Sequence, residues 1–177
     1  MRNGREMTVR RALDALYDAA GYLAALFMVG TLAMVLLGIA SRLLNWFVPG
    51  TDAYAGYCMA AAGFLALGHT FRRGEHIRVS LVLEHVGIRA RRGLELWALA
   101  ASSVLAGAFA YYSARLAFQS WDFNDISTGN DATPLWIPQL SMALGSLVLA
   151  IALLDALVLE WQGRRAHAAS AAPLHNE

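Results

Sequence analysis

The sequence predicts an all-α integral membrane protein with four transmembrane helices, an amphipathic interfacial helix between the second and third, and both termini cytoplasmic. Three observations lead there. Of the 177 residues, 58% are apolar, where soluble domains usually sit near 45–50%. Four apolar stretches are long enough to cross a bilayer, and the arginines gather on one side of them.

The four crossings fall at about residues 19–42, 53–71, 94–118 and 135–159. A basic lead with Arg2, Arg5, Arg10 and Arg11 precedes the first, and Val9, Leu13, Leu16 and Tyr17 lie on one side of it, as a short surface helix requires. The uncharged run from Ala19 to Ala40 spans about 33 Å at 1.5 Å per residue, matching a hydrocarbon core of about 30 Å. That run exceeds the about 7–15 apolar residues of a signal peptide, and no small-residue cleavage site follows, so the segment is expected to persist as the first crossing. Arg42 ends it, Trp46 anchors the interface, and Pro49-Gly50 makes the break.

In the second crossing Ala53, Gly56, Ala60 and Gly63 follow 3-4-3 spacing. Four small residues then form one stripe that another helix, of this chain or of a partner, can approach closely. The crossing stops at Arg72-Arg73, and Val79, Val82, Leu83 and Val86 recur at i, i+3, i+4, i+7. That spacing predicts an interfacial helix over about 76–87. Glu95 opens the third crossing and Arg115 lies near its end. The loop after it, WDFNDISTGNDATP, holds three Asp and no Arg. Thr133 before Pro134 has the cap-then-proline order of a helix start, and Pro138 falls in the first turn, where proline is tolerated. Trp136 and Trp161 bracket the fourth crossing as an aromatic belt does. A polar, Ala-rich tail at about 165–177 is expected to be disordered. The whole chain is taken as one membrane domain.

All fourteen basic residues are Arg. Twelve lie in the N-terminal lead, the loop between crossings two and three, and the tail, which leaves Arg42 and Arg115 on the other side. The positive-inside rule then sets both termini in the cytoplasm and the acidic loop outside.

The net charge of +1 gives no strong pull on nucleic acid. The single Cys58 excludes an intrachain disulfide. A charge at a helix centre costs about 2.5–3.5 kcal/mol, roughly what six Leu return, so a transport path of ionisable groups would stand out at mid-depth. No such charge appears. Arg42, Arg115 and Asp155 lie near crossing ends, where polar contacts or hydration satisfy them. His69 is alone within a crossing, whereas haem needs two ligands and metals three or four. His76 and His85 are nine residues apart, hence on opposite sides of the expected interfacial helix. No nucleophile–base–acid set, phosphate-binding glycine loop or paired Cys motif occurs, so neither a catalytic residue, nor a cofactor, nor a metal site is expected.

The segment FLALGHTFRRGEHIRV, from Phe64 to Val79, carries a Gly/Ala-rich helix into an Arg-x-Gly-x-His-Ile-x-Val ending through Arg72 or Arg73, Gly74, His76, Ile77 and Val79. Together with Arg42 and the Ser127-Thr128-Gly129, Pro134-Leu135-Trp136 and Ile137-Pro138-Gln139 triplets, it resembles the small membrane (Q, or DctQ-like) subunit of tripartite ATP-independent periplasmic (TRAP) transporters. The similarity covers about residues 21–159. Many members have a Glu where this chain has Ala53, so a contact of that Glu to a basic group passes to Asp52 or is absent. The resemblance implies a bacterial inner-membrane scaffold bound to a large multi-spanning subunit that carries the sodium and substrate sites, fed by a periplasmic substrate-binding protein with an organic acid. Under that reading Ala53, Gly56, Ala60 and Gly63 meet the partner helix, and Arg72, Arg73, His76 and Arg78 meet phospholipid headgroups. Two alternatives stand beside it: a small membrane-embedded electron carrier or enzyme using His69, and a self-sufficient homodimeric exporter.

Overall fold

The computed structural model describes residues 2–73, 87–129 and 131–162. Among them are four α-helices: α1 (Arg2–Leu43), α2 (Thr51–Arg73), α3 (Ile88–Asp122) and α4 (Trp136–Trp161). The expected interfacial helix, with His76 and Arg78, lies outside the described residues apart from Gly87, as does the tail. Three of the helices, α1 from Arg10, α3 from Ala90 and α4, are long and apolar enough to cross a membrane. By the same measure α2 is not, because it is built from Gly and Ala and carries Asp52, His69, Arg72 and Arg73.

The basic lead is not a separate surface helix: α1 runs unbroken from Arg2 to Leu43. Likewise α3 begins at Ile88, several residues before the expected crossing at 94. In both places arginines interrupt the apolar run without interrupting the helix, since Arg is itself a good helix former.

Helices α1 and α3 end alike. Asn45 and Asn124 adopt left-handed φ values of 51° and 53°. One residue further on, Trp46 N–H donates to the Ser41 carbonyl at 3.0 Å and Asp125 N–H to the Ser120 carbonyl at 2.9 Å. This six-to-one bond is that of a Schellman cap, with Asn in the left-handed position usually held by Gly.

The helices pack as α1 on α2, α2 on α4 and α4 on α3, with a light contact between α1 and α4. The interior is made of small residues. Tyr17 and Ala20 of α1 meet Val148 and Ala152 of α4, with Leu13 and Phe71 against them. Ala106 of α3 meets Ala150 and Leu153. Gly145 fixes the closest approach, because a Cβ there would collide with the backbone carbonyl of Phe64 on α2. Only a residue without a side chain lets two helix backbones come so near, which is how apolar helices gain dispersion energy without a water-driven effect between them.

Polar helix ends and the open face of the second helix

Arg72, on the last turn of α2, joins three helices. Its Nη2 lies 3.1 Å from Asp14 Oδ1 of α1, and its Nη1 lies 3.4 Å from Asp155 Oδ2 of α4. The sequence marks Arg72 and Asp155 separately as helix-end charges; the fold brings them together with Asp14, which sequence reasoning missed. No pattern within one helix signals a partner 58 or 83 residues away. Close by, Arg92 Nη2 donates to the Trp161 carbonyl at 3.4 Å, which ties the start of α3 to the last turn of α4.

His69 lies one turn before Arg72, and its Nδ1 is 3.0 Å from the Tyr17 carbonyl. A carbonyl only accepts, so Nδ1 carries the proton. The Asp18 carboxylate is further away, at 3.6 Å. The ring fits there because α1 has Gly21 opposite, where a Cβ would stand 2.8 Å from Nδ1. His69 is therefore a hydrogen bond between α1 and α2. Among the described residues no group of three His, Cys, Asp or Glu could hold a metal.

The opposite end of the bundle is held mainly by hydroxyls. The Tyr57 hydroxyl on α2 lies 3.0 Å from Asp131 Oδ2 and 3.1 Å from Ser127 Oγ. Ser127 Oγ donates to Asp131 Oδ1 at 2.8 Å and accepts from Gly129 N–H at 3.2 Å. Hydrogen bonds from Thr133, Ser127 and Tyr57 favour the ionised carboxylate and hold the Asp131 pKa down to about 2, against an ordinary 3.8. Around this turn Ser127 N–H bonds the Thr133 carbonyl at 2.8 Å and Leu135 N–H the Asp125 carbonyl at 3.0 Å.

One expectation is corrected here. Thr133 does not cap α4: the cap residue is Leu135, with no side-chain bond, and the Thr133 hydroxyl, which bonds Asp131, lies 3.2 Å from the Tyr54 hydroxyl. Competing polar groups in the loop and on a neighbouring helix take the hydroxyl that a local pattern assigns to the cap. Tyr54 and Tyr57 carry no sequence signal beyond lying one turn apart at the start of α2.

Arg42 and Asp52 pair at 3.2 Å, so Asp52 does meet a basic group, though both side chains are over three-quarters exposed. Arg115 is exposed and has no protein partner among the described residues. Arg73 is likewise on the exposed side of the last turn of α2. The stripe of Ala53, Gly56, Ala60 and Gly63 does not face the bundle: Gly56, Ala60 and Gly63 are exposed, Ala53 is half-buried, and a Cβ on either glycine would meet nothing within 4 Å. The helix meets its own neighbours through Ala55, Ala61, Ala62, Leu65 and Gly68 instead.

The long apolar helices with small-residue contacts and ionisable groups collected at their ends define the class: a helical membrane protein. The family model that matches is described as tripartite ATP-independent periplasmic transporters, DctQ component, and it covers residues 31–163, from within α1 to just past α4. The chain belongs to this family. No curated protein matches it.

Proposed function

We propose that this chain is the non-catalytic small permease subunit of a TRAP-type secondary transporter. It scaffolds a large multi-spanning subunit that performs sodium-coupled uptake of an organic acid, delivered by a periplasmic binding protein. The observation that carries this reading is the distribution of charge. The ion pairs Arg72–Asp14, Arg72–Asp155 and Arg42–Asp52 sit at helix ends, and the polar group deeper in α2, His69, is spent on a helix-to-helix hydrogen bond. A chain so built stiffens a membrane assembly but offers cargo no ionisable path.

In this reading α2 crosses the bacterial inner membrane with the other three helices, as a single domain. Both termini are cytoplasmic, the arginine end meets phospholipid headgroups through Arg72, Arg73, His76 and Arg78, and the Tyr57–Asp131 loop is periplasmic. The weak apolarity of α2 is supported by its place between α1 and α4. Its open face, with Ala53, Gly56, Ala60 and Gly63, packs on the large subunit. The contacts of Arg42 with Asp52 and of Asp155 with Arg72 serve the same scaffold, and Arg115 takes its polar partner from outside the chain.

Affinity purification from native membranes tests the assignment. A much larger hydrophobic subunit should co-elute in equal amount, and Gly56→Leu with Gly63→Leu should reduce that recovery. Solute flux in vesicles containing this chain alone would overturn the scaffold reading. A reporter joined at Asn124 that proved cytoplasmic would overturn the topology.

A further inference from the structure

A groove of about 810 Å³ runs between α3 and α4, lined by Gly107, Ala114 and Trp121 on one side and Trp136, Leu147 and Leu154 on the other. From Trp136 to Leu154 it covers 19 residues of α4, a rise of about 27 Å at 1.5 Å per residue, close to a hydrocarbon thickness of about 30 Å. Its walls are aliphatic and aromatic, and its α3 floor is Gly and Ala, so it is shaped for a slender apolar chain. Two tryptophans, Trp121 and Trp136, stand at the end where the polar loop begins, the level at which such rings meet lipid headgroups.

Arg115 flanks this groove. It follows the lining residue Tyr111 by four positions and precedes the lining residue Phe118 by three, so it shares their side of α3. It is exposed, and among the described residues no carboxylate or carbonyl pairs with it. Asp122 is the next acidic residue on that side, two helical turns further toward the loop. From Arg115 the α3 floor continues eight residues to Gly107, about 12 Å, and one leaflet supplies acyl chain over about 15 Å. Arg115 lies six residues, about 9 Å, inside Trp121; its long side chain reaches back up the helix to headgroup level, where the anion a bilayer supplies is the phosphate diester of a lipid. An apolar partner helix laid over the groove would instead bury the charge uncompensated.

We propose that the α3–α4 groove is a phospholipid site in the leaflet on the acidic-loop side, with an acyl chain along Gly107 and Ala114 and the phosphate diester on Arg115. The site holds a lipid of fixed position on the face of the bundle away from α1 and α2. It is separate from the headgroup contacts at the arginine end.

Binding is read on the full chain in detergent, with Trp46, Trp97 and Trp161 changed to Phe, by quenching of Trp121 and Trp136 with brominated-acyl phosphatidylglycerol or brominated diacylglycerol. The unaltered site should favour the phospholipid over diacylglycerol. Arg115→Gln should weaken the phospholipid about tenfold and leave diacylglycerol unchanged. Arg115→Lys should keep most of the affinity, and Ala114→Leu should weaken both lipids. Equal phospholipid affinity with and without the Arg115 charge, or no preference over diacylglycerol, would overturn the site. A photoreactive residue at Leu147 in native membranes should yield a lipid adduct, whereas a protein adduct would assign the groove to a helix and refute the proposal.

Discussion

The two faces of α2 are made of the same residue types and do different things. Ala55, Ala61, Ala62 and Gly68 are buried against α1 and α4, while Gly56, Ala60 and Gly63 look away from the bundle. On the buried side the glycines answer specific neighbours: Gly145 of α4 answers the Phe64 backbone and Gly68 of α2 answers Val148. On the open side no neighbour among the described residues explains the smallness. Composition therefore says that α2 is built for close approach, but the location of its partners decides which face is already occupied.

Substitution separates the faces most sharply. Gly145→Leu must displace the Phe64 backbone and should cost about 3 kcal/mol or more, visible as loss of a monodisperse, helical species in detergent. Gly56→Leu and Gly63→Leu, with open space around each Cβ, should change the isolated chain's stability by less than about 0.5 kcal/mol. If Gly56→Leu destabilised the isolated chain as much as Gly145→Leu, the contrast between the faces would collapse.

A second contrast lies between the ends of the bundle. Arg72→Gln leaves Asp14 and Asp155 without their shared cation, and a loss of about 1 kcal/mol in thermal or denaturant stability is expected, shrinking in high salt. At the hydroxyl end Tyr57→Phe removes the bonds to Asp131 and Ser127 and should cost about 1 kcal/mol, with no salt dependence. The buried Tyr17 hydroxyl has no hydrogen-bond partner among the described residues, so Tyr17→Phe should be close to neutral in the same measurement. A large loss from Tyr17→Phe would show that its hydroxyl is engaged.

The smallest effect expected is a pH response of the loop. The Asp131 pKa is lower in the folded chain than its ordinary value, so ionisation favours the folded loop. That contribution is complete above about pH 4 and is lost as pH falls toward about 2. Carboxyl chemical shifts should place the Asp131 midpoint near the lower value and move it back toward 3.8 in Thr133→Val with Ser127→Ala and Tyr57→Phe. A midpoint that stays put would remove those hydrogen bonds as its cause.

How much of this is legible in the sequence depends on distance along the chain. Helices α1, α3 and α4 announce themselves because an uninterrupted apolar run is a local property. The paired ends do not: Asp14, Arg72 and Asp155 lie on three helices, and nothing near any one of them names the other two. Arg42 and Asp52, ten residues apart across one turn, were within reach of sequence reasoning. Thr133 shows the reverse failure, a sound local rule overridden by Asp131 in the loop and Tyr54 reaching in from α2. The stripe on α2 was visible as spacing, but which way it faced depended on the packing of α1 and α4.

The first helix is a rod of 42 residues, about 63 Å from end to end. Even leaning at about 40°, the steep limit for membrane helices, it has at least about 20 Å standing clear of the oil. Whatever is joined ahead of it rides on a stiff mast, and trimming the rod a turn at a time should lower that cargo toward the lipid surface in steps of about 4–5.4 Å, according to the tilt.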